Sequence, residues 1–249
     1  MGRDISAIFL DVGNTLRIVR KEEQFQARAR AELMNLIHAR EPSEEIFFAE
    51  LDKRWKAYRK WSFDHLTEAG EKDLWTKWML PDYPAEDIAP LAGRLTRLWR
   101  DKDGRRVARP DVKDVVVELD RRGYMLGIIA NTITETEIPD WLEEDGLAPY
   151  FKAVVLSSKV TFRKPGPEIY WEAAHRIGVE PAKCAYVGDN PIRDVEGTQK
   201  AGFGMSIILL EPETMKKEPQ SGDQKPDHII QTCSDLLDIF PPRDSVCTH

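Results

Sequence analysis

The apolar runs in this chain of 249 residues are short and unalternated. Ile5–Leu10, Met125–Ala130 and Ser206–Leu210 are strand-length stretches with no polar face. A strand that is apolar on both faces must be covered on both, and parallel sheets with helices on each side do this. The spacing predicts strands over Ile5–Leu10, Tyr124–Ala130, Ala153–Leu156, Cys184–Val187 and Met205–Leu210. It predicts helices between them over Asp111–Arg122, Glu137–Asp145, Pro167–Ile177 and Ile192–Ala201, three of them followed by Gly123, Gly178 or Gly202. The fold class expected is α/β, a doubly wound parallel sheet whose ligands sit at the carboxyl ends of the strands. A last edge strand and helix are read at His228–Ile230 and Cys233–Phe240.

The stretch 17–108 has another texture. It shows no convincing strand and reads as helices over Glu22–Ala39, Glu44–Trp61, Glu71–Leu80 and Ala85–Trp99, broken at Pro42, Gly70 and Pro81–Pro84. The expected division is a core domain of residues 1–16 and 109–249, with 17–108 as an inserted helical domain. Five of the seven tryptophans fall in the insertion: Trp55, Trp61, Trp75, Trp78 and Trp99. They read as the core of a helical bundle, with the alternative that one or two line a pocket facing the sheet. His38 and His65 lack metal-ligand spacing. Residues 211–227, rich in Lys, Glu, Pro, Gln and Gly, read as a flexible surface loop, and the last residues as frayed. Arg17-Ile-Val-Arg-Lys21 and Arg121-Arg122 read as solvated basic faces.

A net charge of −7 disfavours nonspecific nucleic-acid binding, which needs a basic surface. A metal and one lysine can still make a local site for a small anion. Three cysteines, Cys184, Cys233 and Cys247, without a CxxC pair, give no disulfide framework. No apolar run approaches the length of a membrane span, and the N-terminus has no signal-peptide pattern. A cytoplasmic protein with no membrane partner is expected.

Four segments place polar residues just beyond strands. In Ile8-Phe-Leu-Asp11-Val-Gly-Asn-Thr15-Leu, the carboxylate of Asp11 stands on a turn, where it can be a nucleophile, a metal ligand or a turn cap. Ile128-Ile-Ala-Asn131-Thr132 offers an amide to an anion or to loop backbone. Phe162-Arg-Lys164-Pro-Gly-Pro fixes a lysine that either holds charge over the site or is solvated. Ala185-Tyr-Val-Gly188-Asp189-Asn-Pro-Ile-Arg-Asp194 brings two carboxylates together, a donor set that suits Mg²⁺, although Asp194 could instead serve as a helix N-terminal charge.

In this order the four segments resemble the motifs of the haloacid dehalogenase superfamily, and the helical insertion resembles that family's cap in the phosphoglycolate-phosphatase and dehalogenase-like branch. The resemblance covers essentially the whole chain, with Val187–Asp194, Gly197 and Ala201-Gly202 its strongest part. It implies a Rossmann-like core, attack by Asp11 on phosphorus through an aspartyl-phosphate, and Mg²⁺ held by Asp11, Asp189 and the carbonyl of Gly13. It further implies a bridging role for Lys164, orientation by Asp194 and Thr15 behind the reacting groups, and Asn131 and Thr132 at the substrate, a small phosphorylated molecule. A homodimer is conceivable if the cap exposes an aromatic face.

Two positions depart from the pattern. Family phosphatases usually carry a second Asp where this chain has Gly13, and Ser or Thr where it has Ala130. The first supplies a proton to the leaving oxygen; its loss is worth on the order of 10²–10⁴ in rate on poor leaving groups. Three readings follow: a Mg²⁺-dependent phosphatase favouring activated esters or borrowing an acid from the cap, a metal-independent 2-haloacid dehalogenase, and a non-enzymatic descendant that binds a phosphorylated ligand or a partner.

Overall fold

The computed structural model describes residues 4–211 and 225–243. Most of the expected 211–227 loop, the C-terminal tail and Cys247 lie outside the described residues.

Six strands form one parallel sheet: β1 (Ala7–Leu10), β4 (Met125–Ala130), β5 (Phe151–Leu156), β6 (Cys184–Gly188), β7 (Met205–Leu209) and β8 (His228–Ile230). Their order is β5-β4-β1-β6-β7-β8. The chain therefore grows outward from β1 to one edge, then returns to β1 and grows toward the other. The reversal leaves a crevice at the carboxyl ends of β1 and β6, where such sheets bind ligands. In register, Leu10 is level with Ile128 on one side and Val187 on the other, so the residues following these strands emerge at one height.

Helices cover both faces, as the unalternated strands require. Val112–Arg121, Glu137–Glu144 and the C-terminal Leu236–Ile239 pack over Ile8, Leu10, Ile128 and Val187. Glu168–Ile177 and Glu196–Ala201 bring Tyr170, Ala173 and Ala201 against Phe9, Ile129 and Tyr186 on the other face. Gly127 lies on this face, where an added Cβ would come 2.5 Å from the Phe9 ring.

Between β1 and β4 the chain makes helices Glu23–Leu36, Glu44–His65 and Ala92–Asp101, with shorter turns over Glu71–Asp73, Leu74–Met79, Ala85–Ile88 and Ala89–Leu91. Their apolar cluster of Leu33, Phe47, Leu51, Tyr58, Trp75, Leu95 and Trp99 is separate from those of the sheet apart from Ile133, which joins it from the loop after β4. Trp75 is fully buried and donates its indole N–H to Thr96 Oγ1 at 2.8 Å, which satisfies both polar groups. Trp55, Trp61 and Trp78 are half-buried against the same cluster.

The insertion also contains strands, contrary to the expectation from its texture. β2 (Arg17–Arg20) and β3 (Arg105–Ala108) pair antiparallel, Arg17 level with Ala108. Each has only four residues, and the apolar positions in Arg-Ile-Val-Arg and Arg-Arg-Val-Ala are too few to show a period. The reading of both basic clusters as solvated faces holds for Arg20, Lys21 and Arg121, which are exposed, and needs correction for Arg17 and Arg122. Arg17 is largely buried with Glu137, and Arg122 donates to the Phe240 carbonyl at 2.7 Å.

Candidate active site

The turn after β1 is set by backbone hydrogen bonds. Arg17 N–H and Leu16 N–H both donate to the Val12 carbonyl, at 2.9 and 3.0 Å, and Asn14 N–H donates to the Arg17 carbonyl. Asn14 takes a left-handed φ of 59°, which asparagine tolerates better than most side chains. The Asp11 N–H donates across to the Val187 carbonyl at 2.8 Å, seating Asp11 in the crevice with 4 % of its surface exposed.

Lys164 is the centre of the arrangement. Its side chain is wholly buried, with Nζ 3.0 Å from Asp11 Oδ1 and 2.9 Å from Asp194 Oδ1. It also donates to the Tyr186 hydroxyl, which in turn donates to the Ile129 carbonyl at 3.2 Å. A buried ammonium is tolerable only with such partners. Its backbone is held by Asn131, whose Oδ1 accepts from Lys164 N–H and whose Nδ2 donates to the Lys164 carbonyl, both at 2.9 Å. Asn131, expected at the substrate, thus clamps the lysine loop while also lining a cavity.

Asp194 lies in the wide helical turn Pro191–Val195, not in a regular first turn. Its Oδ2 accepts from Asn190 N–H at 3.0 Å. Gly188 explains how it reaches the strand end: a Cβ there would stand 2.2 Å from Asp194 Oδ2, so a larger residue would push the carboxylate away. Burial disfavours the Asp194 carboxylate, but Lys164 and Arg193 outweigh it and hold its carboxyl below the ordinary value.

Carboxylate oxygens of Asp11, Asp189 and Asp194 lie within 4.8 Å of one another, all three residues buried. Asp194, expected behind the reacting groups, contributes a carboxylate to this cluster while pairing with Lys164. Arg193 approaches Asp189 Oδ1 at 3.5 Å and Asp194 Oδ1 at 3.6 Å. Three carboxylates against Lys164 and Arg193 leave one net negative charge in a buried space. The donor set is all oxygen, so the residues fit a hard divalent cation such as Mg²⁺. The Gly13 carbonyl belongs to an exposed turn residue on the cavity wall.

Thr15 is buried, and its hydroxyl has no hydrogen-bond partner among the described residues; its carbonyl accepts from Arg109 Nε at 3.1 Å. Thr132 is 5 % exposed, its N–H donating to Ser157 Oγ at 2.9 Å and its Oγ1 accepting from Thr134 N–H at 3.2 Å. Sequence reasoning missed Arg193 and Tyr186. The signal for the first is its place beside Asp194 in the Pro191–Val195 turn that follows Asp189. Tyr186 sits in an apolar strand and carries no such mark.

The family profile described as haloacid dehalogenase-like hydrolase matches residues 90–208. A glyceraldehyde 3-phosphate phosphatase of Methanopyrus kandleri is 32% identical over 132 residues, 52% of this chain and 55% of that protein. A phosphoserine phosphatase of Thermus thermophilus is 36% identical over 131 residues, 53% of this chain and 49% of that protein. The chain thus spans about half the length of these curated relatives. A crystal structure of a 2-haloacid dehalogenase from Pseudomonas syringae superimposes with a TM-score of 0.68 at 20% identity, covering 94% of this chain and 97% of that one. The profile match, the sheet order and the strand-end residues around Lys164 place residues 90–208 among the haloacid dehalogenase-like hydrolases, and the whole chain, with its helical insertion after β1, shares the fold of the solved dehalogenase.

Proposed function

We propose that the chain is a Mg²⁺-dependent hydrolase of small phosphomonoesters, with residues 1–16 and 109–249 as its catalytic core and 17–108 as its cap. The observation that carries the reading is the buried Lys164 ammonium between Asp11 and Asp194. Such a lysine holds the Asp11 carboxylate in place and leaves positive charge where a phosphoryl oxygen would arrive. The named activities of the two curated relatives support the reaction class. The separate apolar cluster of the helical insertion supports the division into core and cap.

In this reading an Asp11 carboxylate oxygen attacks phosphorus, forming a P–O bond to the side chain as the ester P–O bond breaks. Water then attacks the same phosphorus, releasing phosphate and restoring the carboxylate. Asp194 keeps Lys164 aimed at Asp11, and Asn131 holds the lysine loop while Thr132 faces the substrate from the end of β4. Mg²⁺ bound by Asp11, Asp189 and the Gly13 carbonyl, with Thr15 packed behind them, supplies charge that offsets repulsion between carboxylate and phosphate. With no acid at position 13, esters whose leaving group needs no proton react best.

The test is phosphate release from 4-nitrophenyl phosphate and glycerol 3-phosphate by the wild type, by Asp11→Asn and by the wild type in EDTA. The expected result is turnover of the nitrophenyl ester, abolished by the substitution and by the chelator. Turnover that survives Asp11→Asn would refute the mechanism. Metal-indifferent halide release from 2-chloropropionate would favour dehalogenation instead.

A further inference from the structure

A cavity of about 180 Å³ opens beside the strand ends, walled by Gly13, Asn131 and Thr132 on the sheet side and by Arg17, Arg100 and Arg106 on the other. All three guanidinium groups converge on one carboxylate. Arg17 Nη1 lies 3.2 Å and Arg106 Nε 3.6 Å from Glu137 Oε1, while Arg100 donates to Oε2. A neighbouring recess of about 110 Å³ shares Arg100 and Arg106 and adds Arg59 and Lys102. The acids on that second wall are already engaged: Glu68 lies 3.4 Å from Arg163, and Asp103 3.0 Å from Lys102. Asp101 also interacts with Arg106 and Arg100, yet cations still outnumber anions.

This local excess stands inside a chain of net charge −7. Burial and the neighbouring Arg100 push the Arg106 guanidinium down to about 10, the mark of a buried cation short of counter-charge. Arg17 Nε is buried and has no hydrogen-bond partner among the described residues. Guanidinium groups bind carboxylates through paired N–H donors; here three share Glu137, and Arg17 Nη2 and Arg106 Nη1 turn instead to the Arg106 and Arg100 carbonyls at 2.8 and 2.9 Å, which satisfy hydrogen bonds but supply no counter-charge. A cavity of about 150 Å³ admits a benzene ring, so this one has room for a two- or three-carbon fragment with its charged end group.

We propose that this arginine pocket receives a second negative charge on the substrate, so that the chain selects small phosphomonoesters bearing a carboxylate. This rests on the phosphatase reading. The phosphoryl group lies by Asp11 and Lys164, the carbon skeleton passes Gly13 and Asn131, and the carboxylate meets Arg17, Arg100 and Arg106. A neutral end group would leave the cationic wall uncompensated.

The test is calorimetric binding of 3-phosphoglycerate and glycerol 3-phosphate, which differ at C1 by a carboxylate against a hydroxymethyl group, to the Asp11→Asn protein in Mg²⁺. The carboxylate is expected to bind at least about tenfold tighter. Adding Arg100→Gln should bring the ratio toward one. Equal affinities in the Asp11→Asn protein overturn the proposal whether or not the arginine variant folds, and so does a preference that Arg100→Gln leaves intact. Phosphate release from 4-nitrophenyl phosphate by the wild type reads the underlying activity separately. Turnover with no binding preference removes the pocket and keeps the phosphatase, whereas a preference without turnover keeps the pocket and removes the phosphatase.

Discussion

At position 13 nothing in the structure explains glycine by crowding, since a Cβ built there meets no heavy atom within 4 Å. The backbone there is also free of the positive φ that would demand glycine. An aspartate therefore fits, and Gly13→Asp is expected to raise kcat/KM on glycerol 3-phosphate by about 10²-fold or more while changing 4-nitrophenyl phosphate little. Steady-state rates on the two esters check this; equal gains on both would mean that the new carboxylate acts through charge and not by protonating the leaving oxygen. Asp11, Asp189 and Asp194 were legible as neighbours because they follow a strand or a Gly-Asp turn, and Lys164 because Pro-Gly-Pro follows it. Asn131 was legible as polar and strand-terminal, but its clamp on the Lys164 backbone was not, because a backbone contact across 33 residues leaves no trace in side-chain type.

Helix Glu137–Glu144 meets the insertion through its first residue. Glu137 joins Arg17 on β2, Arg106 on β3 and Arg100 at the end of Ala92–Asp101, so three elements of the insertion are held to one side chain of the sheet layer. Removing one member of a buried ionic network leaves the others uncompensated, and Glu137→Gln is expected to cost about 3–5 kcal/mol. Urea unfolding measures it, and a change under about 1 kcal/mol would show that the arginines find other counter-charge or water. The parallel strands were legible to within two or three residues at each end, because burial on both faces forces an unbroken apolar run. The ribbon β2–β3 was not, since four-residue strands carrying arginine look like loop. The turn that holds Asp194 begins as a wide helical turn, which no residue type prescribes.

For the molecule as a whole, the titrating groups set an acid limit. Asp194 and Glu137 are both disfavoured as anions by burial, yet lysine and arginine neighbours hold them below their ordinary values of 3.8 and 4.5. Their stabilising contribution is complete above those values and is lost as pH falls through the lower values of the folded state. Glu71 and Asp101, raised chiefly by burial, work in the opposite sense and soften the loss. The urea midpoint is expected to drop as pH falls below about 4.5, and to drop less in Glu137→Gln; an equal drop in both would assign acid sensitivity to other carboxylates. The sheet and its switch point followed from pattern, and the inserted helices from a change of texture, whereas the charge balance between them depends on which side chains meet. A further consequence lies in the ribbon where the insertion leaves and rejoins the sheet. Arg17 is level with Ala108, and Arg109 N–H donates to the Leu16 carbonyl at 2.9 Å, so the two junctions touch. The chain between them leaves and returns through one closed doorway and meets the sheet layer again at Arg100–Glu137 and Glu68–Arg163. Loop length added or removed beyond that doorway changes loop-closure entropy only logarithmically and leaves the strand ends where they are, so segments that spare those two pairs can lengthen or shorten while the turn after β1 stays in place.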